Sequence, residues 1–246
     1  MTVALTIAGS DPSGGAGIQA DLKTFHRFGV FGEAVVTLIT VQNTRGIEQV
    51  HLLPADLVEA QIRAVIEDLP PRAAKTGALG SREIAGRIAK MAEQFEFPLV
   101  VDPVMSSKNG VKLGGRMMPC FLLTPNLEEA STLAGFAVDD LDSMRRGAEK
   151  IHSLGAENVL IKGGHLRGDA VDLLYARGEF HQFHAARIDT RSTHGTGCAY
   201  SAAITAELAK GTALVEAVRR AKQFVTDAIR TNPGLGSGSG PLNFFA

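Results

Sequence analysis

The chain has 246 residues and a formal net charge of −1, from 25 basic and 26 acidic side chains. This balance gives no electrostatic footprint for nucleic acid or an anionic membrane, so we expect neither as a partner. The two cysteines, Cys120 and Cys198, make no disulfide scaffold and lack metal-site spacing, which favours a reducing cytoplasm. The first apolar run, Val3–Ala8, is too short for a signal peptide. The other runs fall well below the roughly 20 residues that cross a bilayer.

Short apolar runs alternate with longer helical patterns along the chain. The predicted strands are Val3–Ala8, Ala34–Val41, Ala73–Thr76, Leu99–Asp102, Leu122–Thr124, Val159–Lys162 and Val171–Tyr175. The predicted helices are Gly15–Phe28, Ala55–Asp68, Ser81–Gln94, Leu127–Ala134, Ser143–Leu154, Gly197–Lys210 and Ala213–Thr231. His181 and His184 fall on one further ordinary strand.

The order of these elements predicts the fold class. Several strands are apolar on both faces, as buried parallel strands are. Repeated strand–helix units then predict an α/β fold with a mainly parallel sheet. We expect a single domain over residues 1–246, with a flexible Gly- and Ser-rich segment at 232–241. Polar or glycine-rich segments follow the strands at Gly9, Gln42, Gly77, Asp102, Asn126 and Gly163. Because ligands bind at the carboxyl ends of strands in such sheets, these segments predict one cleft.

The segment before the helix at Gly197–Lys210 carries the clearest chemical signal. Gly195, Thr196, Gly197 and Cys198 stand where that helix begins. The first N–H groups of a helix lack internal partners, and the helix dipole adds positive charge there. Such a terminus binds phosphate and lowers the pKa of a cysteine, which predicts an anion hole with a thiolate. A glycine-rich turn with a small buried cysteine is the alternative.

Two segments near the amino terminus are candidates for holding a flat ligand. The glycines between Gly9 and Gly17 match neither a Walker A loop nor a Rossmann fingerprint, but they let the backbone approach a ring closely. Asp21 accepts hydrogen bonds from a ligand amine or is a solvated helical residue. Gln42 offers a donor beside an acceptor, which matches the edge of an aminopyrimidine. The alternative for Gln42 is a strand-end cap.

Three charged residues follow the later strands. Asp102 and Glu128 are candidates for holding Mg²⁺ through water against nucleotide phosphates. Glu128 and Glu129 are otherwise first-turn acids that stabilise a helix. Lys162 ends a buried strand, where its charge is costly unless it is paired with a group such as phosphate. A lysine that snorkels at the sheet edge is the alternative.

Six motifs in order carry a family resemblance. They are AGSDPSGGAGIQADLKTF, TVQNTRG, VVDPVM, LLTPNLEEA, VLIKGGH and THGTGCAYSAA, within residues 4 to about 205. Together they resemble the hydroxymethylpyrimidine/phosphomethylpyrimidine kinases of thiamine biosynthesis, in the ribokinase-like group. The resemblance implies a three-layer α/β/α sandwich, a homodimer, and ATP with Mg²⁺. It also implies phosphorylation of the hydroxymethyl group of 4-amino-5-hydroxymethyl-2-methylpyrimidine, and then of the monophosphate to the diphosphate.

The resemblance also implies roles for individual residues. Gln42 holds the pyrimidine, with Gly9, Asp21 and Val41 lining its site. Cys198 stands where related sugar kinases place an aspartate base. The nucleotide and Mg²⁺ side comprises Asn126, Glu128, Lys162 and Thr193.

Departures from the family pattern keep alternatives open. Ala78 stands where methionine is common, Ala199 follows the cysteine where threonine is frequent, and Phe244 replaces a frequent histidine. Because of Ala78, a pyridoxal or pyridoxine kinase remains an alternative. A cysteine hydrolase using Cys198 and His194, and a ligand sensor without catalysis, are further alternatives. The glycine-containing segment from Met105 to Gly115 is interpreted as a lid.

Overall fold

The computed structural model describes residues 1–104, 112–113, 116–164, 166 and 169–246. Most of the segment interpreted as a lid, residues 105–111 and 114–115, lies outside the described residues, as does His165.

Eleven strands and seven helices are present in the described residues. The strands are β1 Val3–Ser10, β2 Phe31–Asn43, β3 Gly46–Leu52, β4 Ala73–Thr76, β5 Leu99–Val101, β6 Lys112–Leu113, β7 Arg116–Met117, β8 Leu122–Leu123, β9 Asn158–Ile161, β10 Ala170–Ala176 and β11 Glu179–Ala185. The helices are α1 Gly17–Arg27, α2 Ala55–Asp68, α3 Arg82–Ala92, α4 Leu127–Ala134, α5 Leu141–Ser153, α6 Thr196–Ala209 and α7 Leu214–Arg230.

The central sheet has nine strands in the order β11-β10-β9-β8-β5-β4-β1-β2-β3. The inner strands β2, β1, β4, β5, β8 and β9 pair in parallel. At the two edges β3, β10 and β11 pair antiparallel to their neighbours. The prediction of a mainly parallel α/β sheet is therefore confirmed.

Helices cover both faces of the sheet, because successive strand residues point to opposite faces. Val101 packs in one core with Ile84 and Ile88 of α3, and helices α2, α4 and α5 share that face. Its neighbour Val100 packs in a second core with Ala203 of α6 and Val225 of α7. Helix α1 joins α6 in a third cluster on the same side. This is the predicted three-layer sandwich.

The edge strands explain what the sequence patterns missed. Every residue of β3 is exposed, so it has no buried apolar face for a periodicity to reveal. Strand β11 contains His181 and His184, as predicted for those two residues. Of the helices in the described part of the chain, none is both long and apolar enough to cross a bilayer.

The Gly- and Ser-rich segment at 232–241 lies against the loop that joins β2 to β3. Ser239 N donates to Thr44 O at 2.8 Å, and Gly238 N donates to Thr44 Oγ1 at 3.3 Å. Further along, His194 N donates to Gly240 O at 3.1 Å. These contacts tie the segment to the residues before α6. Its flexibility stays a prediction.

Candidate active site

Several of the predicted site residues lie together at the carboxyl ends of the parallel strands, beside the amino terminus of α6. Gly195 is the N-cap of α6, with a φ of 79°, and no side chain caps the helix. A Cβ on Gly195 would lie 1.8 Å from Gly15 O, so only glycine lets the two loops meet. Thr196 N donates to Thr193 O at 3.2 Å and Ala199 N to Gly195 O at 2.9 Å, so in the described structure the amides of Gly197 and Cys198 are left for another acceptor, as in an anion site.

A buried ion pair faces the first turn of α6. Lys162 Nζ donates to Asp102 Oδ1 at 2.9 Å, and the two side chains are 15% and 4% exposed. A Cβ on Gly197 would lie 3.4 Å from Lys162 Nζ and 3.6 Å from Asp102 Oδ2, which places the pair beside this turn. Although burial disfavours its charge, Asp102 and Glu129 raise the pKa of Lys162 above its ordinary value. The lysine is therefore a fixed cation next to the free helix amides.

The acids of α4 divide into one that faces solvent and one that faces inward. Asn126 and Glu129 form a capping box: Asn126 Oδ1 accepts from Glu129 N, and Glu129 Oε2 accepts from Asn126 N. Glu128 is exposed, whereas Glu129 is buried and acts electrostatically on Lys162. The geometry thus favours Glu129 over the predicted Glu128 as the inward carboxylate. Asn126 adjoins Lys162 through a backbone bridge.

Cys198 lies in the first turn of α6 as predicted, but the pKa of its thiol is raised rather than lowered. Burial and the negative charge of Asp21 raise the pKa of its thiol to about 11. The charge of Lys75 and the hydrogen bond from Gly17 N lower this pKa, but by less. The predicted lowering of the pKa by the helix terminus is therefore wrong for this sulfur. Desolvation outweighs the helix dipole here. The residue as a whole keeps partial solvent exposure, and the charged groups Asp21, Lys75 and Asp102 act on its thiol, so the surroundings of the sulfur are not purely aliphatic.

Asp21 lies within the layer between sheet and helix. Its Oδ2 accepts from Lys75 Nζ at 2.8 Å and from Thr6 Oγ1 at 2.6 Å, and both charged side chains are fully buried. Although burial disfavours its charge, Asp21, Cys198 and Asp102 raise the pKa of Lys75. Asp21 Oδ1 is buried without a hydrogen-bond partner in the described structure. This free oxygen is the only part of Asp21 left to meet a ligand amine.

Gln42 meets His194, which immediately precedes the N-cap of α6. The Gln42 amide lies 3.3 Å from His194 Nε2, and that nitrogen lies 2.8 Å from Asp11 Oδ2. Asp11 also accepts from Ser13 N and Ala16 N, which fixes the loop before α1. Burial works to raise the pKa of Asp11, but the bonds from His194, Ser13 and Ala16 hold it at about 2. The histidine therefore joins the predicted pyrimidine residue to the predicted anion hole.

The other predicted residues frame these contacts. Gly9 lies at an irregularity in the β1–β2 pairing, where an added Cβ would lie 2.5 Å from Leu38 Cδ1. Val41 is exposed beside Gln42. Thr196 Oγ1 donates to Thr193 O at 2.8 Å, so Thr193 braces the turn before α6 with its carbonyl.

Three residues that contact the predicted site were not predicted as site residues: Asp11, Lys75 and Glu129, the last of which was interpreted as a first-turn acid. Only Glu129 had a local signal, because Asn126 three residues before a glutamate is a capping-box pattern. Asp11 and Lys75 acquire their roles through contacts between residues 183 and 54 positions apart in sequence. Local patterns carry no information about such pairs.

The carboxylates fit Mg²⁺ held jointly with phosphates. In the described residues no group of three or more His, Cys, Asp or Glu side chains is placed to bind a metal by itself. Asp102 and Glu129 beside Lys162 supply the oxygen ligands that Mg²⁺ prefers. Mg²⁺ commonly uses one or two carboxylates, with water and substrate oxygens completing its shell.

Comparisons with known proteins agree on the family. A family model described as phosphomethylpyrimidine kinase matches residues 11–243. The chain is 47% identical to the thiamine biosynthesis bifunctional protein ThiED of Geobacter sulfurreducens, over 97% of this chain and 51% of that protein. It therefore spans about half the length of that relative. It is 45% identical to the hydroxymethylpyrimidine/phosphomethylpyrimidine kinase of Streptomyces coelicolor, over 97% of this chain and 93% of that protein.

A solved structure agrees on the fold. The pyridoxal kinase of Bacillus subtilis, in an ADP complex, superposes with a TM-score of 0.92 and 41% identity, over 99% of this chain and 97% of that one. On the family match, and with this site, the chain belongs to the phosphomethylpyrimidine kinase family and is a phosphotransferase.

Proposed function

We propose that the chain transfers phosphoryl groups from ATP to 4-amino-5-hydroxymethyl-2-methylpyrimidine and then to its monophosphate, in thiamine biosynthesis. The observation that carries this proposal is the link through His194. It joins Gln42, which suits an aminopyrimidine edge, to the turn that holds Cys198 and the free amides of α6. Because His194 directly precedes the N-cap of α6, the proposed acceptor site adjoins the proposed phosphate site.

The phosphate side of the proposed site is built from fixed charges. Lys162 and the amides of Gly197 and Cys198 would stabilise negative charge on the transferring group, which costs little reorganisation because the lysine is already buried. Asp102 and Glu129 would hold Mg²⁺. When bound, Mg²⁺ neutralises charge on the phosphates during transfer. Thr193 and Asn126 support this side through the turn and the α4 cap.

The acceptor side has Cys198 nearest the phosphate. We propose that Gln42 fixes the ring, with Gly9, Val41 and the free Oδ1 of Asp21 around it, so that the hydroxymethyl oxygen faces the sulfur. Since the thiol has a raised pKa, Cys198 orients the hydroxyl when it is protonated and accepts its proton only when ionised. Phosphoryl transfer depends mostly on positioning and electrostatics, so orientation is the larger contribution.

The hydroxyl-bearing substrate of a pyridoxal kinase is the second candidate. It is favoured by the likeness to the Bacillus subtilis pyridoxal kinase and by Ala78, which stands where methionine is common in the pyrimidine kinases that the chain resembles. The hydrolase alternative has less support. His194 Nε2 is directed at Asp11 and Gln42, whereas Cys198 is influenced by Asp21 and Lys75.

We also propose a cytoplasmic homodimer made of one catalytic domain per chain. Two free cysteines support the cytoplasm. Strand β3 is an unpaired edge whose Ile47, Val50 and Leu52 are 56%, 53% and 48% exposed, beside Ile39 and Val41 of β2. Such an apolar edge invites pairing with another strand, and a second copy offers an identical one.

The experiment that tests the proposed function is substrate-dependent ADP release from ATP. We expect turnover with the hydroxymethylpyrimidine and with its monophosphate, each yielding a product one phosphate heavier by mass spectrometry. A chain that binds the pyrimidine and leaves ATP intact would be a ligand sensor. Hydrolysis of an ester or amide without ATP would support the cysteine hydrolase. Either result contradicts the proposal.

A further inference from the structure

Gln42, the residue proposed to hold the ring, has a side-chain amide whose orientation is decided by its neighbours. One end of the Gln42 carboxamide, Nε2, lies 3.3 Å from His194 Nε2, and the other, Oε1, lies 3.2 Å from Thr40 Oγ1. The two ends have the same shape, so the hydrogen-bond inventory decides which atom occupies which end.

At the first end, the available donors and acceptors place a hydrogen on Nε2 of His194. Asp11 is a carboxylate at neutral pH, since its pKa is held at about 2, and it can only accept. Its Oδ2 lies 2.8 Å from His194 Nε2, so that nitrogen carries the hydrogen and donates it. The protonated nitrogen has no lone pair to accept from an amide NH₂, whereas the amide oxygen can share its N–H with Asp11, so the oxygen is the matching atom at this end.

At the second end, the available acceptors decide the direction in which the Thr40 hydroxyl donates. Thr40 Oγ1 donates its one hydrogen to the backbone oxygen of Ser10 at 2.9 Å. Its lone pairs are then left facing Gln42, and they are matched by the amide NH₂. Both neighbours thus require the same arrangement, with Oε1 toward His194 and Nε2 toward Thr40.

This arrangement leaves one defined pattern for a ligand. Once the amide is hydrogen-bonded to His194 and Thr40, one lone pair of its oxygen and one of its N–H groups are left for a ligand. The oxygen end is on the α6 side, because His194 directly precedes the N-cap. A ring whose hydroxymethyl group points toward α6 therefore meets an acceptor first and a donor second. The 4-amino group and N3 of an aminopyrimidine supply the matching donor and acceptor in that order.

We propose that His194 is the positioning residue that selects the aminopyrimidine, by holding the Gln42 amide in one orientation against Thr40. The inference rests on the proposed function, because it takes the hydroxymethylpyrimidine as the ligand. A pyrimidin-4-one with the same substituents presents the inverse pattern, a carbonyl where the amine was and an N–H at N3. The Gln42 amide, fixed in one orientation, cannot hydrogen-bond to this inverse pattern, and buried polar groups left without partners weaken binding.

The test compares dissociation constants of the 4-amino compound and its 4-oxo analogue by calorimetry on the full chain. For the wild type we expect a preference for the amine of about 100-fold. In His194→Leu only Thr40 still favours this orientation of the amide, and the preference should fall to about tenfold or less. His194→Gln, which keeps a donor N–H of similar reach, should restore most of the preference. The matched control is His184→Leu on β11, at the far edge of the sheet, which should keep it.

Thr40→Val provides a second approach that leaves His194 in place. It keeps the shape of the side chain but removes the lone pairs that face Gln42, so it should also reduce the preference. If both compounds weaken equally in these variants, or the preference is unchanged in both, the inference is overturned while the proposed function stands. A wild type that binds neither pyrimidine overturns the proposed function and this inference with it.

Discussion

Lys162 and Asp102 form a buried ion pair at 2.9 Å that faces the first turn of α6. Lys162 directly follows β9, and Asp102 directly follows β5. Two strands of the parallel sheet therefore present opposite charges at one point. Burying charges costs free energy unless they are paired, and pairs retained inside proteins are weak contributors to net stability. Their position beside the free amides of α6 indicates a functional reason for retaining them.

The first prediction separates the function of this pair from its contribution to stability. Lys162→Met leaves Asp102 buried without a partner and should lower the free energy of unfolding by about 3–5 kcal/mol. Adding Asp102→Asn should recover most of that loss in urea unfolding. Turnover should stay about 10²–10³-fold down in both variants, because the cation beside the phosphates is gone.

The double variant decides the outcome. If activity returns together with stability, the pair serves the fold alone and its assignment to phosphate is wrong. Lys150→Met on α5 is a suitable control, because it removes a lysine from an exposed helical position.

The second prediction concerns the pH dependence of turnover. Burial raises the pKa of the Cys198 thiol to about 11, so the thiolate fraction grows about tenfold per pH unit below that value. If Cys198 is the base, kcat rises from pH 7 to 9 in the wild type, and Cys198→Ala loses both that rise and about 10²–10³-fold in rate. The dissociation constant of the pyrimidine should change little.

A stopped-flow or coupled assay across this pH range checks it. Cys120→Ala should behave as the wild type, since that thiol is buried at another place and burial raises its pKa to about 12. A flat profile in the wild type would remove Cys198 from the base role and leave it as an orienting group.

The third prediction concerns stability and Glu33 of β2. Neither carboxylate oxygen of Glu33 has a hydrogen-bond partner in the described structure. Burial, with a smaller effect of Asp68, raises its pKa to about 7 from an ordinary value of 4.5. The folded state therefore binds the proton more tightly, and the stability this provides is complete below pH 4.5 and is lost as pH rises through 7.

Glu33→Gln should remove this dependence. We expect the variant to match the wild type near pH 5 and to exceed it by about 2 kcal/mol at pH 8, in urea unfolding across the range. Glu48→Gln, at an exposed position of β3, is the matched control. Parallel stability curves for wild type and Glu33→Gln would show that the carboxyl is charged in both states.

The fourth prediction tests the homodimer and its location. We expect light scattering after gel filtration to give a mass twice that of one chain for the wild type. Val50→Lys on the exposed edge strand β3 should shift the mass to that of a monomer, because a buried lysine blocks strand pairing. Leu69→Lys, at an exposed apolar position beyond α2, should leave the dimer intact. A wild type that is monomeric contradicts the proposal.

Much of the fold could be predicted from the sequence because its elements bury one face each. Strand β4 and helices α2 and α4 were predicted with the bounds that the structure has. Their apolar spacing directly reflects packing in the core. Strand β3 escaped prediction because all of its residues are exposed, and an alternation of buried and exposed positions is the signal that such patterns read.

The site was predictable where a residue acts through its local context, and less so where it acts through distant partners. The free amides of Gly197 and Cys198 follow from a helix start that the sequence reveals. The state of the Cys198 thiol does not, since it depends on Asp21 and on burial that only the folded chain creates. The bond between His194 and Asp11 likewise joins opposite ends of the chain.

The measurement that tests the account most directly is competition between two acceptors for limiting ATP. Equal amounts of the hydroxymethylpyrimidine and pyridoxine are given to the wild-type chain, and the phosphorylated products are counted by mass spectrometry, which gives the ratio of their kcat/KM values. We predict a ratio of about tenfold or more in favour of the pyrimidine, because the Gln42 amide, held in one orientation, matches only that ring. Equal or greater phosphorylation of pyridoxine would contradict it.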